Sequence, residues 1–189
     1  MTTICGHSVD EFVEMVTRFH GFPAPGIIIS GFMVDLALEL RRGDGLYEVL
    51  CETSVCLPDA VQLLTPCTFG NGWMKVADTG RFALAVFDKR TGEGVRVHLD
   101  ARKLAHYPEI NAWFFRLKPK KEQDGERLNA EILAAGKGIL GSAPVKVARP
   151  FLGHHGMGDT ALCPSCGEAY PVRDGDRCKA CGGWELYEK

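Results

Sequence analysis

Four cysteines near the C-terminus have the residue type and the spacing of a metal site. They form two Cys-x-x-Cys pairs, Cys163/Cys166 and Cys178/Cys181, with eleven residues between the pairs. Two intervening residues allow a tight turn that points both sulfurs at one ion, and a glycine follows each pair. The pattern predicts a tetrahedral zinc site. Because cysteines fill all four positions, none stays open for a substrate, and we expect the zinc to be structural.

The segment that carries these cysteines, residues 161–189, is predicted to be a zinc ribbon. A unit this small buries too little surface to fold alone, so the metal would supply its folding energy. A rubredoxin-type iron site and a dithiol redox pair are the alternatives for the same cysteines. The ribbon has five acidic and four basic residues, and four thiolates around zinc add negative charge. We therefore expect it to contact a protein partner rather than phosphate.

The composition is typical of a globular protein, with 46% hydrophobic and 24% charged residues. The formal charge is -2, from 22 basic and 24 acidic residues, so no polyanionic partner is needed to explain it. No apolar run reaches the roughly 18 to 20 residues of a membrane span. The N-terminus lacks the features of a secretory or transit signal. We expect a cytoplasmic protein, where paired cysteines favour metal over disulfides.

The elements that must position any site begin with two helices. Ser8 and Glu11 form a capping box, and apolar residues at helical spacing predict an amphipathic helix from Val9 to about Gly21. A second helix is predicted over 27–42, apolar around most of its circumference. Such a helix is covered on several sides, either by the core of its own chain or by a dimer interface.

Strands dominate the middle of the chain. Residues 47–53 are predicted to form a strand and 58–64 a short helix, and 65–73 a loop. Strands over 73–77, 82–88 and 95–99, joined by short turns, predict an antiparallel meander. The fold class is α+β, with the N-terminal helices packed on the meander. The predicted organisation is a core domain over 1–150, a Gly/His-rich linker over 151–160 and the ribbon over 161–189.

A basic stretch and a histidine pair are further candidates. Residues 116–149 hold eight basic and four acidic residues and include a predicted helix over 122–135. This stretch is either a solvated helix and connector or a surface for an anion, an acidic partner or nucleic acid. His154 and His155 are either an exposed loop or additional metal ligands.

Several ordered motifs between about residues 10 and 100 resemble one protein family. They are the sequences HGFPAPG over 20–26, CETSVCLPDAVQ over 51–62, LTPCTFGNG over 64–72 and DTGRFA over 78–83. These motifs resemble the FmdE family, which is named for formylmethanofuran dehydrogenase. The resemblance implies an α+β core that forms intertwined dimers and sometimes carries a C-terminal zinc finger. It also implies association with a molybdenum or tungsten enzyme whose pterin cofactor lies on other subunits, and it assigns no reaction.

The resemblance also implies a second set of metal ligands in the core. The family's HG-x-x-CPG motif and its two later cysteines fall on His20, Ala24, Cys56 and Cys67. With Ala24 in place of a cysteine, His20, Cys56 and Cys67 could bind a divalent metal with an open position, completed by Asp59, by Gln62 or by water. The alternative is two buried thiols and a histidine that interacts with a helix end. Glu52 and Asp59 could transfer protons if that metal site exists.

Three functional hypotheses follow. The first is a metal-binding accessory or regulatory protein, a homodimer whose ribbon contacts a partner. The second is a metal-dependent enzyme or small-ligand-binding protein with an open metal site near His20, Cys56 and Cys67. The third is a nucleic-acid-binding regulator that uses residues 116–149. Nucleotide-binding loops and a serine-hydrolase elbow are absent from the sequence.

Overall fold

The computed structural model describes residues 2–153, 156 and 158–187. The chain divides into two compact units, Met1–Gly153 and His154–Lys189, called here the core unit and the finger unit. The boundary between them lies within the stretch predicted as a linker. His154 and His155 lie outside the described residues, so their role stays a prediction.

The core unit begins with a short hairpin and the two predicted helices. Strands β1 (Thr3–Ile4) and β2 (His7–Ser8) pair antiparallel, and α1 (Val9–His20) follows directly. The Ser8 hydroxyl accepts the Glu11 N–H at 3.3 Å, and the Glu11 carboxylate accepts the Ser8 N–H at 2.7 Å. The capping box is therefore confirmed.

Helix α2 (Pro25–Leu40) is the central helix of the core unit. Ten of its sixteen residues are buried, and they join the main hydrophobic cluster with residues of α1, α3 and the sheet. The all-round apolar character of this helix is thus explained within one chain. It gives no evidence for a dimer interface, which was one of the two interpretations of its sequence.

The core sheet has five strands in the order β4–β3–β5–β6–β7. Their bounds are Tyr47–Cys51 (β3), Met74–Val76 (β4), Ala83–Asp88 (β5), Glu93–Leu99 (β6) and Leu140–Lys146 (β7). β5 pairs antiparallel with β3 and β6, and β7 with β6. The α+β class is confirmed, and α2 packs on the face formed by residues such as Val49, Val86 and Val97.

The position of β4 differs from the prediction. β4 was expected to pair with the next strand of a meander, but it lies parallel to β3 at the sheet edge. The Val49 N–H donates to the Trp73 carbonyl at 2.8 Å, and the Thr79 N–H donates to the Glu52 carbonyl at 2.9 Å. The turn after β4 therefore carries the chain past the end of β3, and β5 pairs on the other side of β3.

Three further helices complete the core unit. They are α3 (Leu57–Leu64), α4 (Pro108–Phe114) and α5 (Gly125–Ala135). The helix predicted over 122–135 begins only at Gly125, because the Asp124 carboxylate caps it by accepting the Arg127 N–H at 3.1 Å. Neither α4 nor β7 was predicted. Over the described residues, no single helix is long and apolar enough to cross a bilayer, and only α1 and α2 together, across a 119° bend, pass that test.

Candidate metal centre and core donor residues

The first cysteine pair follows a two-stranded hairpin in the finger unit. β8 (Thr160–Leu162) pairs antiparallel with β9 (Ala169–Pro171). The Cys163 N–H donates to the Glu168 carbonyl at 2.8 Å, and the Gly167 N–H donates to the Cys163 carbonyl at 2.8 Å. Gly167 has φ +77°, a conformation that glycine adopts without strain. The glycine after the pair thus closes the tight turn that the spacing predicted.

The second pair is held in a turn after a short 3₁₀ helix, Val172–Asp174. The Tyr170 hydroxyl donates to the Gly175 carbonyl at 3.0 Å, which ties this helix to the hairpin. The Cys181 N–H donates to the Cys178 sulfur at 3.4 Å. Backbone N–H groups that point at the sulfurs stabilise negative charge on them.

The four finger sulfurs lie together, all within 4.8 Å of one another. The Cys166 and Cys178 sulfurs are 3.8 Å apart. A tetrahedron of sulfurs around zinc, with bonds of about 2.3 Å, has edges of about 3.8 Å. The donor set and this spacing therefore fit a zinc ion held by Cys163, Cys166, Cys178 and Cys181, with no position left for another ligand.

The thiol pKa values show that these sulfurs need a cation. N–H groups of Cys178 and Cys166 lower the pKa of Cys163 to about 6. The neighbouring thiols, Cys178 first, raise the pKa of Cys181 to about 12. Without metal the cluster holds negative charge readily on one sulfur and poorly on the others. A bound divalent cation removes that repulsion, so metal binding and proton release are coupled.

In the core unit the structure brings together two of the predicted donors. The His20 Nδ1 lies 2.6 Å from an Asp59 carboxylate oxygen. His20 ends α1, and Asp59 lies in the first turn of α3. The carboxylate fixes the orientation of the ring and leaves Nε2 as its free nitrogen. Asp59 is thus an orienting partner of His20, as is common for metal-bound histidines.

Cys56 lies at the start of α3 in a strained conformation. Its φ is +58°, which non-glycine residues adopt at a cost of roughly 1 to 2 kcal/mol. Burial, and then the charge of Asp59, raises the pKa of the thiol. A Cβ at Gly26, in the first turn of α2, would lie 2.9 Å from the Cys56 sulfur. Gly26 therefore makes the space that this thiol occupies.

The remaining predicted donors have other partners. The Cys67 thiol is buried and donates to the Tyr47 carbonyl at 3.6 Å. The Gln62 side-chain oxygen accepts the Phe69 N–H at 3.2 Å. Among the described residues, only the four finger cysteines form a group of three or more metal donors within 4.8 Å of one another. A core metal would therefore need movement of Cys56 or Cys67, or ligands from water.

Glu52 has a structural role that the sequence did not indicate. Arg96 donates to both of its oxygens, at 2.5 and 2.9 Å, and Arg81 lies 2.8 Å away. These contacts, chiefly the Arg96 hydrogen bonds, lower the pKa of Glu52. A carboxylate held by two guanidinium groups is a weak base. The contact spans 44 residues of sequence, so no local pattern could have revealed it.

The basic stretch 116–149 is spread over several elements. Lys137 pairs with Asp35 at 2.8 Å and with Glu39 at 2.6 Å, and Lys118 lies 3.7 Å from Glu109. These pairs neutralise part of the excess charge. Binding of nucleic acid by this stretch stays a prediction.

Sequence comparisons agree with both units. A model described as "FmdE, Molybdenum formylmethanofuran dehydrogenase operon" matches residues 19–148. A second, described as "FmdE treble clef zinc finger", matches residues 154–188. These matches confirm a zinc-finger module that carries the four cysteines, and they describe it as a treble clef.

Two relatives are similar over most of this chain. A crystal structure at 1.90 Å of a tungsten formylmethanofuran dehydrogenase FmdE-like protein from Syntrophus aciditrophicus is 50% identical, with a TM-score of 0.89 and 100% coverage of both chains. A probable S-adenosyl-L-methionine-binding protein of Archaeoglobus fulgidus is 27% identical over 88% of this chain. The chain spans about half, 51%, of that curated relative.

Proposed function

We infer the function from the premise that this chain belongs to the FmdE family. It is a metal-binding protein of that family with a four-cysteine zinc finger. We propose that it is a cytoplasmic accessory or regulatory protein whose finger contacts a partner, a molybdenum- or tungsten-dependent oxidoreductase. The eight cysteines are free thiols, which suits a reducing compartment.

The closed cysteine cluster carries this proposal. Four sulfurs within 4.8 Å of one another use every coordination position of a tetrahedral ion. Such a zinc stabilises a small unit and presents its surface, and it takes no part in a reaction. The finger surface includes large exposed apolar side chains, with Trp184 66% and Tyr187 87% exposed. Exposed aromatic side chains are typical of sites of protein contact.

The test is co-purification from the native organism with tungsten and molybdenum as the readout. Tagged protein is purified gently, and both metals in the eluate are measured per chain by mass spectrometry. We expect near-stoichiometric tungsten or molybdenum with the natural sequence and none with the Cys163→Ser/Cys166→Ser variant. Cys5→Ser, which removes a thiol of the core unit, is the matched control. Equal metal from an untagged extract, or unchanged metal with the finger variant, would reject the partner.

Homodimer formation is a further part of the proposal. It rests on family membership, because α2 is already buried within its own chain. Sedimentation equilibrium on the isolated protein tests it directly. A mass of about twice 20.7 kDa is expected, and a single-chain mass at micromolar concentration would reject it.

A second candidate function rests on the contact between His20 and Asp59. A histidine oriented by a carboxylate at 2.6 Å beside a strained cysteine is an arrangement common in metal and ligand sites. We propose for this candidate that His20 Nε2 and Cys56 hold a metal or a small ligand. S-adenosyl-L-methionine is the first ligand to test, because the Archaeoglobus relative is named for it.

This candidate is tested in the Cys163→Ser/Cys166→Ser background, which removes the finger metal. Elemental analysis then reports any core metal, and calorimetry reports S-adenosyl-L-methionine. Metal or ligand binding that is lost in His20→Ala and weakened about 10- to 100-fold in Asp59→Asn supports the candidate. Retention of the metal by His20→Ala would reject it, as would absence of both metal and ligand.

A further inference from the structure

We propose that the finger docks a basic segment of a partner protein and takes a lysine or arginine side chain of that segment beside Trp184. The inference rests on the proposed function, in which the finger contacts a partner, and it specifies the chemistry of that partner. It is carried by a cavity, by the exposed apolar side chains next to it and by the charge of the finger.

The cavity lies beside the second cysteine pair. It has a volume of about 610 Å³ and is lined by Asp174, Asp176, Arg177, Cys178, Lys179, Cys181, Gly182 and Trp184. Two carboxylates and an indole are thus brought to one concave surface, next to two of the four metal-binding sulfurs. An aromatic face together with carboxylates attracts an ammonium or guanidinium group.

The finger already places one of its own cations in this setting. The Lys179 ammonium lies 3.2 Å from an Asp174 carboxylate oxygen and 5.9 Å from the centre of the Trp184 ring. This pair shows that the cavity suits a cation. Asp176 is less committed, because its side chain is 88% exposed and its nearest cation, Arg177, is 3.8 Å away. Asp176 is therefore the carboxylate that a partner's cation can reach without breaking a close internal pair.

Apolar side chains extend the surface along the chain from Trp184. Leu186 is 64% and Tyr187 87% exposed. A partner that covers them must bring apolar side chains as well as a cation. Such aromatic anchors with a charged rim are typical of the energetically important centre of protein interfaces.

The charge of the finger selects a basic partner. Between Asp159 and Tyr187 there are five acidic and three basic residues. A zinc ion held by four thiolates adds two formal negative charges. Phosphate-rich surfaces, both nucleic acid and anionic membrane, are repelled by this field, whereas a segment with alternating basic and apolar residues is attracted.

The test uses the full-length, zinc-loaded protein and a fluorescein-labelled peptide of five Lys-Leu repeats, followed by anisotropy. We expect saturable binding that weakens as salt is added. Asp176→Asn and Trp184→Ala should each weaken it at least tenfold. The matched control is Glu168→Gln, which removes a finger carboxylate outside the cavity and should change binding less than twofold. Zinc content of one per chain in each variant shows that the finger is intact.

Three results would overturn the inference. They are absence of binding to the zinc-loaded protein, equal weakening by Glu168→Gln and Asp176→Asn, and equal or tighter binding of a Glu-Leu peptide or a 20-nucleotide single strand. The co-purification experiment separates this inference from the proposed function. Metal co-purification that persists in Asp176→Asn and Trp184→Ala refutes the docking chemistry alone. Peptide binding without any co-purified tungsten or molybdenum refutes the proposed partner alone.

Discussion

Substitution of Gly31 by alanine is predicted to destabilise the core unit, although helix propensity alone predicts the opposite. Gly31 lies in the middle of α2, where glycine costs about 1 kcal/mol relative to alanine. A Cβ at this position would lie 2.6 Å from the end of the Phe12 ring and 3.1 Å from a methyl group of Ile4. Both neighbours are completely buried, so neither can move away without disturbing the core.

Overpacking of this kind costs about 1 to 3 kcal/mol. Offset by the helix-propensity gain, the expected net loss for Gly31→Ala is on the order of 1 kcal/mol. In a chain of this size that lowers the melting temperature by about 2 to 4 °C. Circular dichroism melting measures the shift. Gly125→Ala is the control, because Gly125 starts α5 and nothing lies within 4 Å of its added Cβ; it should be neutral or stabilising.

A double variant identifies the clash as the cause. Phe12→Leu shortens the side chain that meets the new methyl group, so Phe12→Leu/Gly31→Ala should lose less stability than the sum of the single variants. A Gly31→Ala protein as stable as the natural one would refute the packing described for α1 and α2. Strict additivity in the double variant would refute Phe12 as the source of the strain.

Three further predictions concern stability, each measured by urea unfolding of the full chain. Glu52→Gln should cost about 2 kcal/mol at pH 7; because Arg96 lowers the pKa of Glu52, its contribution is present above about pH 4.3 and lost as pH falls through the lowered pKa, so the variant should lose stability less steeply in acid, and an unchanged acid slope would contradict this. Gly141→Ala should cost about 1 to 3 kcal/mol, since its Cβ would lie 2.6 Å from the His98 ring, and His98→Ala should relieve the loss; absence of relief would exclude the clash. Ser8→Ala should cost about 1 kcal/mol by removing the α1 cap, and Ser8→Asp should restore most of it, whereas an Asp variant as unstable as the Ala variant would argue against capping.

Local patterns predicted the elements whose signals lie within a few residues of sequence. The capping box located the start of α1, and the two Cys-x-x-Cys pairs located the finger. The strand β7 was missed because Gly141 and Pro144 are poor strand residues. Gly141 makes room for the His98 ring, and Pro144 lies on the edge strand opposite Val95. The Val147 N–H bonds to the Gly92 carbonyl, so alternation places Pro144 where no N–H is needed.

The core donor set shows the limit of sequence reasoning in another way. His20 and Asp59 are 39 residues apart, and the structure joins them at 2.6 Å. Cys67 was expected in the same group, but it bonds to the Tyr47 carbonyl of β3. Motif spacing identifies which residues matter without fixing which of them meet. The parallel position of β4 likewise depends on the path of the chain past β3, which no local pattern encodes.

Metal stoichiometry tests the central claim most directly. Protein is purified without chelators or a metal-affinity tag, and its metals are measured per chain for the natural sequence and for Cys163→Ser/Cys166→Ser. We predict about one zinc per chain in the natural protein and loss of that zinc in the variant, together with unfolding of the finger unit. Absence of zinc in the natural protein, or full retention of it in the variant, would contradict a structural zinc held by the four finger cysteines.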